Sequence, residues 1–183
     1  MALQKYKQMA RQNQVFVDQE KNRIEFLDNR FYLYPDGMYF PSSTTILDAY
    51  PKDASFFKWL KEEGANADII RDNAGDDGSI VHRLTEDYDK GLPVSVLGEN
   101  GQVRYSMKVW AMFERYVMFK KRFPHEVLAL EENYCSKELK FGGTLDRKIT
   151  FGDYGKEFAK INNKKYILDI KSGNNIYEHQ WLQ

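Results

Sequence analysis

Two segments in the last third of the sequence bring together residue types that work on phosphate esters. In Ile167-Leu168-Asp169-Ile170-Lys171 a carboxylate and an ammonium stand two residues apart. Strand side chains alternate faces, so Asp169 and Lys171 share one face and Leu168 and Ile170 turn into the core. Upstream, Gly142-Gly143-Thr144-Leu145-Asp146 starts another strand with a second carboxylate, behind two glycines that permit close backbone approach. Two Asp carboxylates converging from neighbouring strands, with Lys171 beside them, form a hard-oxygen site suited to Mg2+ or Mn2+, and the carbonyl of Ile170 is a further oxygen donor. Such an ion polarises a phosphodiester oxygen, while Lys171 orients the attacking water, takes its proton or stabilises the transition state. The bland alternative is an ion-pair network, because Asp-x-Lys is a common surface salt bridge.

These residues must be positioned by the elements around them. A third polar group, His82 and Glu86, shares one helical face four residues apart in Gly78-Ser79-Ile80-Val81-His82-Arg83-Leu84-Thr85-Glu86, where Glu86 either orients His82 or pairs with a base elsewhere. Strands are expected at 15–17 and 23–27, then a hairpin with Phe31–Tyr34 and Met38–Phe40 around the turn residues Pro35-Asp36-Gly37. Ser42 to Thr45 supply helix caps, and a helix over Ser55–Glu63 ends at Gly64. Helical patterning over 65–74 is expected to break at Asp76-Asp77-Gly78-Ser79 before a separate helix from Ile80 to Lys90. The longest helix is predicted over 103–122, with Val103, Met107, Trp110, Phe113 and Val117 as its apolar stripe. Four strands follow: Val127–Tyr134, Thr144–Phe151, Phe158–Ile161 and Tyr166–Lys171, the last two separated by a turn at 162–165.

The order Gly-x-x-x-His-x-x-x-Glu, then Glu, then Gly-Gly-Thr-x-Asp, then Asp-x-Lys-Ser-Gly, then Tyr and Gln, resembles the RecB-like branch of the PD-(D/E)XK nuclease superfamily, which includes phage-type exonucleases. The likeness runs from about Pro41 onward and takes in Pro41-Ser42-Ser43-Thr44-Thr45-Ile46-Leu47 and the Trp59 region. It implies an α/β, restriction-endonuclease-like fold: a mixed central sheet flanked by helices. One nuclease domain would then span 1–183, with N-terminal strands and a hairpin over 1–40 added to a core over 41–183. It further implies that His82, Asp146 and Asp169 ligate the metal and that Lys171 is the catalytic lysine. Glu131 takes the acidic position before the Gly-x-x-Asp strand, with Glu132 as the alternative. Tyr177 and Gln183 line the DNA-facing side, Gln180 being the competing glutamine. Family members continue into a further helix after that glutamine, so a domain shortened at Gln183 is expected.

The implied activity is Mg2+- or Mn2+-dependent hydrolysis of DNA, as an exonuclease in recombination or repair. The alternative is a catalytically silent module that grips DNA ends or a recombination partner protein; a more distant one is an RNA-directed nuclease. Arg147, Lys148, Lys160, Lys164 and Lys165 are expected to meet phosphates, and Tyr177 and Trp181 to stack on a frayed base. No base-reading motif is present, so binding to linear DNA without sequence specificity is expected.

Composition sets the outer bounds. The 183 residues are 42% hydrophobic and 30% charged, which suits one folded domain. Net charge is +0, which excludes a globally basic nucleic-acid binder. Yet residues 1–100 carry 12 Lys+Arg against 17 Asp+Glu, and residues 101–183 carry 15 against 10, so a local basic face is permitted. The single cysteine, Cys135, excludes an internal disulfide and a self-contained iron–sulfur cluster. No apolar run approaches the roughly 18–20 residues that span a bilayer. The opening MALQKYKQMARQNQ has no apolar signal core. A cytoplasmic protein of a bacterial or phage-infected cell, without membrane association, is the expectation.

Overall fold

The computed structural model describes residues 16–18, 22–26 and 29–173. Their order is β1 (Phe16–Asp18), β2 (Arg23–Phe26), β3 (Asn29–Leu33), β4 (Tyr39–Pro41), α1 (Ser43–Leu47), α2 (Ala54–Glu63), α3 (Ala67–Asp89), α4 (Met107–Arg122), β5 (His125–Ser136), β6 (Phe141–Phe151) and β7 (Lys165–Leu168). The chain is a mixed α/β protein with one sheet in the order β1-β2-β3-β4 and another in the order β5-β6-β7. Two compact units are present. One holds the described residues up to Lys52 with Glu132–Thr144; the other holds Asp53–Glu131 and the described residues from Leu145 on. Among the described residues no helix is long and apolar enough to cross a membrane.

In the first unit the expected hairpin forms. The Tyr34 amide donates to the Met38 carbonyl at 2.7 Å, and Gly37 takes φ +88, which suits a residue without Cβ. β3 then pairs antiparallel with β4, Tyr32 opposite Phe40. Ser42 caps α1, its hydroxyl accepting from the Thr45 amide at 2.9 Å. The Gly142 backbone lies against Tyr32: a Cβ there would stand 2.7 Å from the Tyr32 Cβ. Close approach is thus the physical reason for glycine at this position. The Tyr32 hydroxyl meets Thr144 Oγ1 at 2.8 Å, and Thr144 donates to Asn133 Oδ1 at 2.6 Å.

The second unit is built on α3 and α4. Asp53 caps α2 and Ser106 caps α4, each accepting a backbone N–H from three residues on. Val81, Leu84, Val109 and Phe113 form the buried core, and Ile170 packs against it. The break expected at 76–79 is absent: α3 is one helix of 23 residues. Gly78 sits inside it because Ser172 packs there, the position of a Cβ being 2.9 Å from the Ser172 Oγ. A helix tolerates a single glycine at a cost of about 1 kcal/mol relative to alanine, so the close contact decides the residue and the helix runs on. The longest helix is therefore α3, and α4 begins only at Met107. Val103 and Met107 are exposed, and the buried stripe of α4 is Val109, Phe113 and Tyr116.

Two strand expectations are also corrected. Residues 158–161 form no strand. Phe158 ends a short 3-10 turn, Lys156–Phe158, and joins an aromatic cluster with Phe123 and Tyr154. Asn162 holds the loop from its side chain, donating to Asp153 Oδ1 at 2.8 Å and accepting from the Tyr154 amide at 3.0 Å. The last strand is shorter than its apolar pattern. β7 pairs antiparallel with β6, Arg147 opposite Leu168, and ends there.

Candidate metal centre

Three of the expected site residues converge. Ligand atoms of His82 on α3, Glu131 on β5 and Asp146 on β6 all lie within 4.8 Å of one another. His82 Nδ1 is 3.6 Å from Asp146 Oδ1. The Asp146 Oδ2 accepts the Ile170 amide at 2.6 Å. Glu131, rather than its neighbour Glu132, faces this cluster, and it does so from a backbone φ of +48. A non-glycine residue in that conformation costs about 1–3 kcal/mol, a strain that persists only where the surroundings impose it.

Burial pushes the Glu131 carboxyl above its ordinary range, and the Asp146 charge adds to the effect. Burial raises Asp146 as well; the Ile170 amide and His82 oppose the rise, and the Asp169 charge reinforces it. Two half-buried carboxyls resisting ionisation, with an imidazole beside them, form a donor set that a divalent cation fits: two hard oxygens and one nitrogen, undercompensated without it.

Asp169 and Lys171 stand next to this group. Lys171 Nζ pairs with Asp169 Oδ2 at 2.8 Å, so the two share a side as strand alternation requires, although they lie just past the end of β7. Asp169 pairs with this ammonium and is outside the three-residue cluster. With Met112, Arg115 and Phe119 of α4, Asp169 and Lys171 also line a pocket of about 250 Å³. The Ile170 peptide meets the site through its N–H, a contact separate from the ligand role expected of its carbonyl. Glu86 does not orient His82; its carboxylate accepts from Lys90 Nζ at 2.6 Å, one helical turn on. Tyr177, Gln180, Trp181 and Gln183 lie outside the described residues.

Arg147 overturns its expectation. It is fully buried and pairs through Nε with Asp89 Oδ2 at 3.0 Å, so it is no phosphate contact. The signal for this was in the sequence. Arg147 and Ile149 share one face of β6 by period two, and the face that buries Ile149 must bury Arg147. Asp89, also fully buried in its side chain, further accepts from the Tyr116 hydroxyl at 2.6 Å and Lys120 Nζ at 2.5 Å. Burial and this carboxylate push the Tyr116 hydroxyl far above its usual range. Lys148 is half-buried, whereas Lys160, Lys164 and Lys165 are exposed.

No protein-family model, curated protein or solved structure matches this chain.

Proposed function

We propose that this chain is a divalent-metal-dependent deoxyribonuclease with the restriction-endonuclease-like fold of the PD-(D/E)XK superfamily, RecB-like branch. In this reading it acts on DNA ends as an exonuclease in recombination or repair. The observation that carries the proposal is the convergence of His82, Glu131 and Asp146, from one helix and two strands, within 4.8 Å, beside the Lys171–Asp169 pair.

His82, Glu131 and Asp146 would hold Mg2+ or Mn2+. The bound cation supplies Lewis-acid polarisation of a phosphodiester oxygen. The protein's own part is positional and electrostatic. The Ile170 amide holds the Asp146 carboxylate in one orientation, and the α3 backbone fixes His82. Lys171 brings an ammonium that stabilises charge building on phosphate oxygens, with Asp169 holding it in place until an anionic substrate competes for it.

The test is incubation of linear duplex DNA with the chain in Mg2+, in Mn2+ and in EDTA. The expected outcome is degradation that needs the metal and is lost in Lys171→Ala. Intact DNA with metal-independent retention in a gel would instead identify a silent end-binding module.

A further inference from the structure

The geometry points to Arg147 as a positioning residue for the cluster, an inference that rests on the metal-site reading above. All three nitrogens of its guanidinium are committed. Nε donates to Asp89 at 3.0 Å, Nη2 to Thr85 Oγ1 at 2.9 Å and Nη1 to the Asp146 carbonyl at 3.3 Å. The same Nη1 lies 3.8 Å from Glu131 Oε1. Thr85 in turn donates to the His82 carbonyl at 2.8 Å. One planar group therefore touches the residue or backbone of every member of the cluster, directly or through Thr85.

Two effects of Arg147 oppose each other. Its charge repels an incoming cation, while its fork holds the donors in place. The closest carboxylate to the guanidinium is Asp89, at 3.0 Å against 3.8 Å for Glu131, and although Asp89 is shared with Lys120 it compensates part of the charge on the α3 side. The fork is not replaceable in this way, because a planar guanidinium reaches several partners at fixed angles and an ammonium does not. Glu131 also needs a hold: it faces the cluster from a strained backbone at φ +48. Positioning therefore outweighs repulsion, and Arg147 raises metal affinity by presetting Glu131 and Asp146.

The experiment titrates full-length chain with Mn2+, free ion being read by electron paramagnetic resonance, in variants shown to be folded by circular dichroism. Arg147→Lys, which keeps the charge and loses the fork, is expected to weaken Mn2+ binding by about 10- to 100-fold, the range for residues that orient ligands. Thr85→Val, which removes the hydroxyl that accepts from Arg147 Nη2 and donates to the His82 carbonyl at little change in volume, should cause a smaller loss and decides the matter if Arg147→Lys does not fold. Because Arg147 acts partly through Glu131, Arg147→Lys combined with Glu131→Gln should lose less than the sum of the two single losses; a merely structural role would give additive losses. Unchanged or tighter binding in Arg147→Lys and Thr85→Val, or additive losses, overturns this inference alone. A wild-type chain that binds no Mn2+ overturns the metal-site reading and this inference with it.

Discussion

The Ile170 amide donates to the Asp146 carboxylate at 2.6 Å, so one side chain both serves the candidate metal centre and ends β7. A ladder continuing past Leu168 would need that N–H for the backbone of β6. The carboxylate takes it, and the chain leaves the sheet with Asp169 and Lys171 presented at its edge.

The two duties of Asp146 separate by substitution. Asp146→Asn keeps an oxygen that accepts the Ile170 amide, whereas Asp146→Ala leaves a half-buried donor unsatisfied, at about 1–3 kcal/mol. Asp146→Ala is expected to melt several degrees below Asp146→Asn, while both lose Mn2+ binding and DNA hydrolysis. Calorimetric melting of the pair, with and without Mn2+, checks this; equal melting temperatures would refute the amide's structural role.

Metal should stabilise the fold most at alkaline pH. Glu131 and Asp146 carry raised carboxyl values, burial being the first cause of each. The sign follows from linkage: a group raised in the folded state favours folding at pH below its unfolded value, and that advantage disappears as pH rises through its folded value. The metal-free cluster thus becomes a liability as pH rises from the unfolded to the folded carboxyl values and stays one above them, and a bound cation reverses it. Mn2+ at about 100 times its dissociation constant adds about 2.7 kcal/mol. The melting-temperature gain from Mn2+ is expected to be larger at pH 8 than at about pH 4, near the unfolded carboxylate range, and to shrink in Glu131→Gln. A gain independent of pH would sink this account.

The two adjacent glycines are not equivalent. A Cβ at Gly142 would meet the Tyr32 Cβ at 2.7 Å, but one at Gly143 would meet Ser43 Oγ at an ordinary 3.5 Å. Gly142→Ala forces backbone or a ring to move and should cost about 1–3 kcal/mol, as overpacking does. Gly143→Ala should lie near wild type. Urea midpoints of the two variants test the contrast.

What could be read ahead of the structure follows from how local each signal is. The Pro35-Asp36-Gly37 turn and the Ser42 cap depend on neighbours a few residues away, and the cap forms with the expected chemistry. The alternation at Leu168, Asp169, Ile170 and Lys171 likewise depends only on extended backbone, and Ile170 packs on the core while Asp169 and Lys171 pair outside it. Gly78 misled because its cause is distant: Ser172 packs on it from almost a hundred residues along, so a glycine that looks like a helix breaker is a packing notch. Arg147 misled because a charged type was read ahead of its position, although Ile149 marks the buried face. The strained Glu131 backbone has no sequence signal, since its φ is imposed by the packing around it.

His125 should make the fold acid-sensitive independently of the metal centre. Its side chain is buried among Phe119 and Phe151; Nδ1 lies 2.7 Å from the Phe123 carbonyl, and Nε2 has no partner among the described residues. Nδ1 therefore carries the proton, and a second proton would enter an aromatic pocket at Nε2. Burial lowers the imidazole below its usual value, with Lys120 adding to the effect and the Phe123 carbonyl and Asp89 opposing it. An unfolded histidine titrates near about 6.5. Between that value and the lower folded one the unfolded chain binds more protons, so stability falls as pH drops through this window and levels off beneath it. Wild type should lose melting temperature on going from pH 7.5 to 5.5 relative to His125→Leu, which starts lower because the Phe123 carbonyl loses its donor but has no imidazole to charge. Parallel melting curves for the two proteins across that interval would show that His125 is not the titrating group.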